Sequence, residues 1–206
     1  LTLHGEMAMG EQRRVTQPLK PGERRVILSS AIAESSLTLP GIGAVIDSGL
    51  SRVAVYDPNT GFTRLETKLV SKASATQRSG RAGRLGPGIG WRLWSEAVQT
   101  RLVPQQPAEI DSTDLAPLRL ELAGWGITNP DDLNWLSPPS AANWQQAGDL
   151  LQQLNAINNQ GTITGLGQRM TGIGSHPRLA AMLCTAPKAS RQTACDLAAL
   201  LSDRDP

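Results

Sequence analysis

The apolar positions in the first half of the chain form short runs that are typical of buried strands. Residues 25–29 form one such run, which leads into the hydroxyl pair Ser29 and Ser30. We expect a buried parallel strand there, because a strand that is covered on both faces is apolar throughout. Residues 44–47 predict the next buried strand, and residues 31–37 a short helical or irregular crossover. The alternation predicts an α/β layer with a ligand edge at the carboxyl ends of its strands.

A β-hairpin is predicted next, with strands over residues 50–56 and 62–70. The segment between them, 57–61, contains Pro and Gly, which favour a turn. A serine-rich stretch at 71–74 can cap a following helix. A Leu-Gly-Pro-Gly sequence ends that helix, and residues 89–94 predict a last strand.

The second half of the chain changes to helical periodicity, and we place a domain boundary between residues 95 and 96. The predicted elements are a helix from caps at 111–113 through residue 125, a helix over 141–154, a short strand or wing over 161–164 and a helix over 165–173. This order is typical of a winged-helix domain. Base readout by it is disfavoured, because residues 130–160 contain no Lys or Arg. Packing against neighbouring domains is the better role.

The composition fits a protein with a buried core and gives no sign of a membrane span or a metal site. Hydrophobic residues make up 39% and charged residues 18% of the chain. No apolar run approaches the roughly 18 residues that a span requires. Cys184 and Cys195 lack any metal-ligand spacing, and we expect two reduced cysteines packed as small apolar groups. No residue is proposed as a metal ligand.

The net charge of +2 hides an asymmetry between the two halves. Residues 1–100 carry 13 basic and 8 acidic side chains, whereas residues 101–206 carry 7 and 10. The first half is therefore the expected place for phosphate groups.

The segment 77–84 concentrates positive charge. If it is helical, Gln77, Arg81 and Arg84 lie at i, i+4 and i+7 and share one face, while Arg78 is rotated off it. Planar guanidinium groups bind phosphate oxygens in pairs. An arginine finger that stabilises a transferring phosphoryl group is the favoured interpretation.

Two glycines in the same segment support a phosphate site over a solvated basic helix. Gly80 and Gly83 remove side-chain bulk beside the arginines, so that a large anion could approach the backbone. Each costs about 1 kcal/mol relative to alanine inside a helix. A helix that only faces solvent has no reason to carry that cost.

The segment Gln77-Arg78-Ser79-Gly80-Arg81-Ala82-Gly83-Arg84 resembles motif VI, QRxGRAGR, of the DEAH-box RNA helicases. Residues 30–38, SAIAESSLT, are similar to motif V of that family, and the spacing between the motifs also agrees. Leu3-His4-Gly5 and residues 177–183 match further family segments. The resemblance covers nearly the whole chain and is greatest to the bacterial HrpB type.

The resemblance implies an α/β fold, a partial RecA-like P-loop NTPase domain with a β-hairpin, followed by a mainly α winged-helix domain and the start of a helical domain. The implied boundaries are 1–95 for the second RecA-like domain, 96–176 for the winged helix and 177–206 for the start of the ratchet domain. No G-x-x-x-x-G-K-[ST] loop or DEAH box is present. We therefore expect a fragment, inactive alone, whose missing part carries the first RecA-like domain and the Mg²⁺ ligands.

In such a cytoplasmic helicase, ATP or another NTP binds with Mg²⁺ between the two RecA-like domains, and single-stranded RNA or an overhang of a duplex lies across both. The hairpin lies near the RNA track, although from the residues alone it could simply cover a sheet edge. The resemblance implies these roles: Arg81 and Arg84 as catalytic groups on the β- and γ-phosphates, Gln77 as the orienter of the attacking water, Gly80 and Ser36 as further nucleotide-site residues, and Ser29, Ser30 and Thr38 as RNA contacts. Arg78 is expected to be structural.

Three positions depart from the family pattern: Ala31 replaces an asparagine, Pro40 an acidic residue, and residues 15–17 lack the usual adenine-stacking aromatic. Relaxed nucleotide specificity is the resulting hypothesis. Two alternatives stay open, namely a non-catalytic nucleic-acid-binding or scaffolding module and a decayed helicase.

Overall fold

The computed structural model describes residues 1–35, 37, 39–57 and 60–202. The chain divides into two compact units, Leu1–Val55 with Arg64–Pro107 and Tyr56–Thr63 with Ala108–Pro206. The strands are β1 (Thr2–Leu3), β2 (Leu28–Ser29), β3 (Ala44–Asp47), β4 (Leu50–Asp57), β5 (Phe62–Leu69) and β6 (Ile89–Arg92). The α-helices are α1 (Met9–Thr16), α2 (Ile32–Ser35), α3 (Lys72–Ser79), α4 (Glu96–Arg101), α5 (Ala116–Gly124), α6 (Ala141–Gln153), α7 (Gly165–Thr171), α8 (Pro177–Thr185) and α9 (Arg191–Ser202). No described helix is long and apolar enough to cross a membrane.

The strand predicted over residues 25–29 is shorter and more exposed than expected. Only β2 forms, and it pairs in parallel with β1. Val26 and Leu28 are 77% and 69% exposed. The prediction of burial is wrong, because these side chains project from a two-stranded sheet whose face is open to solvent.

The strand predicted over residues 44–47 forms as β3, but its predicted burial is wrong, since only Asp47 of its four residues is buried in this two-stranded sheet. It pairs in parallel with β6, in a register that places Ala44 opposite Ile89 and Asp47 opposite Arg92. Its apolar Ile46 is 68% exposed, whereas Asp47 at its carboxyl end is buried. The helix α3 packs on this pair.

The predicted hairpin is confirmed, since β4 and β5 form a two-stranded sheet. Gly61 has a φ of +74°, a value that favours glycine and explains its place in the turn. The predicted turn residues Pro58 and Asn59 lie outside the described residues.

The helix predicted to continue through residue 84 ends at Ser79. Gly80 is its C-cap, and the N–H of Gly80 donates to Thr76 O at 2.9 Å. Beyond it the N–H groups of Arg81, Ala82 and Gly83 donate to carbonyls three residues back, which is a tightened turn and not an α-helix. The prediction of one helical face for residues 77, 81 and 84 is wrong, because glycine disfavours a helix interior and ends it here.

A small core in the first unit determines where that unit ends. Val70, Ala75 and Leu102 are buried together, and Trp94 and Val98 pack against them. Because Val98 and Leu102 lie on or beside α4, this helix belongs to the first unit. The division at Pro107 therefore differs from the boundary that we predicted between residues 95 and 96.

The second unit contains the larger core, to which α5, α6, α7 and α8 contribute. The helix α5 starts at Ala116, later than the predicted caps at 111–113, because a 3₁₀ turn occupies Glu109–Asp111. An antiparallel bridge between Ile157 and Ile163 lies between α6 and α7, at the position predicted for a wing. Cys184 packs against this core. Cys195 does not pack as expected, since it lies exposed on α9.

Candidate functional site

A cavity of about 620 Å³ opens in the first unit between β2, α2 and β3. Apolar residues of these elements line much of it. Its polar lining includes Ser29, Ser30, Glu34, Asp47, Arg78 and Arg81. The cavity thus brings together residues of the two motifs that the sequence analysis identified.

Arg78 occupies the centre of an ion-pair network beside the cavity. Its Nε donates to Glu34 Oε2 at 3.0 Å and its Nη1 to Asp47 Oδ1 at 3.0 Å. Nη1 also donates to the carbonyl of Leu50 at 3.1 Å. The Arg78 and Asp47 side chains are only 14% and 3% exposed. These contacts support the expected structural role of Arg78, because it joins α2, α3 and the end of β3.

Arg81 is held by backbone carbonyls of the motif V segment, residues 30–38. Its Nε donates to Glu34 O at 3.0 Å, its Nη2 donates to the same oxygen, and its Nη1 donates to Leu37 O at 2.9 Å. Burial lowers the pKa of Arg81 below its usual value, the neighbouring charge of Arg84 lowers it further, and Glu34 opposes both. Two of its five guanidinium N–H groups remain for a ligand.

Gln77 and Arg84 lie on the exposed surface of the first unit, at α3 and in the turn after Gly80. Among the described residues neither side chain has a hydrogen-bond or ion-pair partner. Gly80 lies between them in sequence, with no side chain of its own. The structure therefore brings Arg81 to the cavity, whereas Gln77 and Arg84 are not among the residues that line it.

The structure describes two of the three residues predicted to contact RNA. Ser29 and Ser30 are exposed at the carboxyl end of β2 and line the cavity. The Ser29 hydroxyl donates to Ser30 O at 2.8 Å, and Ser30 N donates to Leu3 O at 3.0 Å. Ser36 and Thr38, predicted for the nucleotide and for RNA, lie outside the described residues.

Two acidic residues were given no role by the sequence analysis. Glu34 accepts from Ser74 Oγ at 2.5 Å in addition to Arg78. Asp47 Oδ1 also accepts from Gly49 N at 3.0 Å, and Asp47 Oδ2 is buried without a hydrogen-bond partner among the described residues. The sequence contained one signal for each residue: Glu34 lies inside motif V, and Asp47 ends the apolar run at 44–47.

The second unit holds a separate polar cluster around the end of the hairpin. Tyr56 N donates to Ser112 O at 3.1 Å. Burial raises the pKa of Tyr56, the charge of Asp114 raises it further, and Arg178 opposes both. The Arg178 guanidinium lies against Gly61, where an added Cβ would be 3.1 Å from Arg178 Nε. These contacts hold the described hairpin residues on α8.

Asp114 and His176 form the inner pair of this cluster. His176 Nε2 lies 2.8 Å from Asp114 Oδ2, and His176 Nδ1 accepts from Arg178 N, which assigns the proton to Nε2. Burial alone would raise the pKa of Asp114. The hydrogen bonds from His176 and Ala116 outweigh that effect, so the pKa is lowered.

Comparison with known proteins agrees with this arrangement. Residues 1–86 match the family "Helicase conserved C-terminal domain". The chain is 43% identical over 202 residues to the ATP-dependent RNA helicase HrpB of Escherichia coli (strain K12), a match covering 98% of this chain and 25% of that protein. It is 37% identical over 175 residues to the pre-mRNA-splicing factor ATP-dependent RNA helicase prp22 of Schizosaccharomyces pombe (strain 972 / ATCC 24843), covering 84% of this chain and 15% of that protein.

Solved structures give the same result. A crystal structure of the E. coli DExH-box NTPase HrpB matches with a TM-score of 0.88 and 42% identity, over 99% of this chain and 25% of that one. A crystal structure of the Escherichia coli DEAH/RHA helicase HrpB matches with a TM-score of 0.90 and 42% identity, over 99% and 26%. The chain thus spans about a quarter of the length of HrpB.

Proposed function

We propose that this chain, a member of the DEAH-box helicases of the HrpB type, provides arginine fingers and RNA-backbone contacts to the ATPase cleft of an ATP-dependent RNA helicase. The chain contains the RecA-like helicase C-terminal domain of that family. The observation that carries the proposal is the pairing of the two motifs. The Arg81 guanidinium of motif VI donates hydrogen bonds to backbone carbonyls of motif V, and it lines the same cavity as Ser29 and Ser30. In this proposal the nucleotide contacts and the RNA contacts are adjacent.

Arg84 is the group best suited to reach a triphosphate. Its side chain is exposed and has no hydrogen-bond partner among the described residues. The neighbouring Arg81 keeps two free N–H groups, and Gln77 offers an exposed amide. Burial and the charge of Arg84 lower the pKa of Arg81, and an anion between the two guanidinium groups would offset their repulsion.

The donor set beside the cavity fits phosphate. No group of three or more His, Cys, Asp or Glu residues that could hold a metal was found in the described part of the chain. The 206 residues also contain no G-x-x-x-x-G-K-[ST] loop. When bound, Mg²⁺ would supply charge neutralisation on the β- and γ-phosphates, and we assign its ligands to the first RecA-like domain expected in the full-length protein.

The residues of this chain would act on the charge that develops during phosphoryl transfer. Arg84 and the free N–H groups of Arg81 stabilise the transferring group, and Gln77 orients the attacking water. Arginine fingers contribute about 10³–10⁵ to the rate in related phosphoryl transfers. Ser29, Ser30 and Thr38 would contact the backbone of single-stranded RNA, so that RNA binding and hydrolysis share motif V.

We assign the second unit to the accessory domains. The order of α5, α6, the wing position and α7 is that of a winged-helix domain. The helices α8 and α9 follow it, where a ratchet domain would start. The hairpin residues anchored by Tyr56 and Arg178 would act beside the RNA track.

The test uses the full-length protein with Arg84→Ala and Arg81→Ala. We expect each to lower RNA-stimulated ATP hydrolysis by about 10³-fold or more, with RNA affinity in the absence of nucleotide unchanged. The control is Arg101→Ala, which removes an exposed guanidinium from α4. A binding module predicts the opposite, namely weakened RNA affinity with reduced salt dependence. A wild-type protein without turnover would instead indicate a decayed helicase.

A further inference from the structure

Glu34 connects two segments that lie about 40 residues apart in the sequence. Its Oε1 accepts from Ser74 Oγ at 2.5 Å and its Oε2 from Arg78 Nε at 3.0 Å, both on α3. Its backbone carbonyl accepts from Arg81 Nε at 3.0 Å, beyond the end of that helix. One residue of motif V therefore binds the motif VI region through its side chain and its main chain together.

The side-chain contacts of Glu34 are largely buried, which limits the movement of the side chains that form them. The Glu34 and Arg78 side chains are 17% and 14% exposed, so water screens their ion pair less than it screens a surface pair. Arg78 is fixed in turn by the carboxylate of Asp47 at the end of β3. The backbone of α2 is thereby held in one position relative to α3.

That position determines where the Arg81 guanidinium points. Three of its five N–H groups are bound, two to Glu34 O and one to Leu37 O. The tightened turn after Gly80 frees Arg81 from the helix, so helical geometry does not orient its side chain. The carbonyls of motif V provide that orientation.

We propose that Glu34 is a positioning residue for the reaction: by binding Ser74 and Arg78 it fixes the carbonyls that aim Arg81 at the transferring phosphate. Because the same segment would contact RNA, a shift of motif V on RNA binding changes the direction of Arg81. The proposal rests on the proposed function and adds a route by which RNA stimulates hydrolysis.

The test compares Glu34→Ala, Glu34→Gln and the control Glu96→Gln, an exposed acid on α4, in the full-length protein. We expect Glu34→Ala to lower the RNA-stimulated kcat by about 10²-fold, the loss expected for a displacement near 1 Å, with KM for ATP nearly unchanged. Glutamine can accept from Arg78 and donate to Ser74 Oγ, so Glu34→Gln should recover most of the rate.

A second readout separates positioning from loss of fold. We expect Glu34→Ala to weaken binding of ADP with aluminium fluoride, a transition-state mimic, far more than binding of ADP alone. A merely structural residue would lower the melting temperature and leave that ratio unchanged, which would overturn the proposal. If Glu34→Ala does not fold, Ser74→Ala removes one hydrogen bond to Glu34 and should lower kcat by about threefold to tenfold.

The outcomes also distinguish the two proposals. If Arg81→Ala and Arg84→Ala retain hydrolysis, the proposed function fails. If those variants are inactive while Glu34→Ala and Ser74→Ala behave like Glu96→Gln, only the positioning role of Glu34 fails.

Discussion

Replacement of Arg78 by methionine should destabilise the first unit more than any other single removal of charge there. The change keeps the aliphatic stem and deletes the cation that faces Asp47 Oδ1 and Glu34 Oε2, each at 3.0 Å. Asp47 is the costly partner, because its side chain is 3% exposed and its Oδ2 already lacks a hydrogen bond among the described residues. Among the described residues, Gly49 N alone would still donate to its carboxylate.

The expected cost is about 3–5 kcal/mol, the range for a buried ion pair that loses one partner. Native-state hydrogen exchange can assign that loss to the first unit, because the amides of β3 and β6 report its opening. Their slowest exchange should accelerate by about 10²- to 10⁴-fold, since each 1.4 kcal/mol is a factor of ten. Arg101→Met, which removes a surface guanidinium from α4, is the matched control and should leave these rates nearly unchanged.

A double variant checks the assigned cause. If the uncompensated carboxylate is responsible, adding Asp47→Asn to Arg78→Met should recover part of the loss, because an amide carries no charge to desolvate. A loss below about 1 kcal/mol, the range of surface pairs, or no recovery in the double variant, would refute the reasoning about Arg78.

Three further predictions concern the second unit. Gly167→Ala should lower its stability by about 1–3 kcal/mol in urea unfolding, because a Cβ would be 2.1 Å from the backbone oxygen of Ala156. An unchanged stability would contradict this prediction and show that the backbone shifts to make room. Against the effect of burial, the hydrogen bond from His176 lowers the pKa of Asp114, so this pair stabilises the fold at neutral pH. In acid unfolding this stabilisation should be lost as the pH falls through the pKa of Asp114. The Asp114→Asn variant should show no such loss. Tyr56 is the only tyrosine of these 206 residues, so the difference in 295 nm absorbance between the protein and its Tyr56→Phe variant should titrate above pH 10, with stability lost as the pH rises through the pKa of Tyr56. A midpoint at or below 10 would contradict the burial and the charge of Asp114 assigned to Tyr56.

Local patterns predicted the elements that depend on local chemistry. The hairpin followed from alternating strands around a turn with Gly61, and β3 from a short apolar run. The order of α5, α6, wing position and α7 followed from helical periodicity. The structure adds the cap of α6, where the Ser140 hydroxyl accepts from Asn143 N. The exposure of Val26 did not follow, because an apolar run does not reveal what covers it.

The candidate site was predicted in residue type but not in geometry. Helical spacing placed Arg81 and Arg84 on one face, whereas Gly80 ends the helix before either. The pattern also gave no role to Glu34 and Asp47, whose contacts with Arg78 span 44 and 31 residues of sequence. Such pairs depend on how strands and helices pack, and periodicity within one element carries no information about that.

The end of α3 at Ser79 changes the physical basis of the arginine-finger hypothesis. On a helix, the directions of Arg81 and Arg84 would be fixed together by 3.6-residue geometry, and any movement of one would carry the other. In the observed turn the two are independent: Arg81 is bound to carbonyls of motif V, and Arg84 is exposed. A movement of motif V can therefore redirect Arg81 while Arg84 stays in place, which a rigid helical pair would not allow.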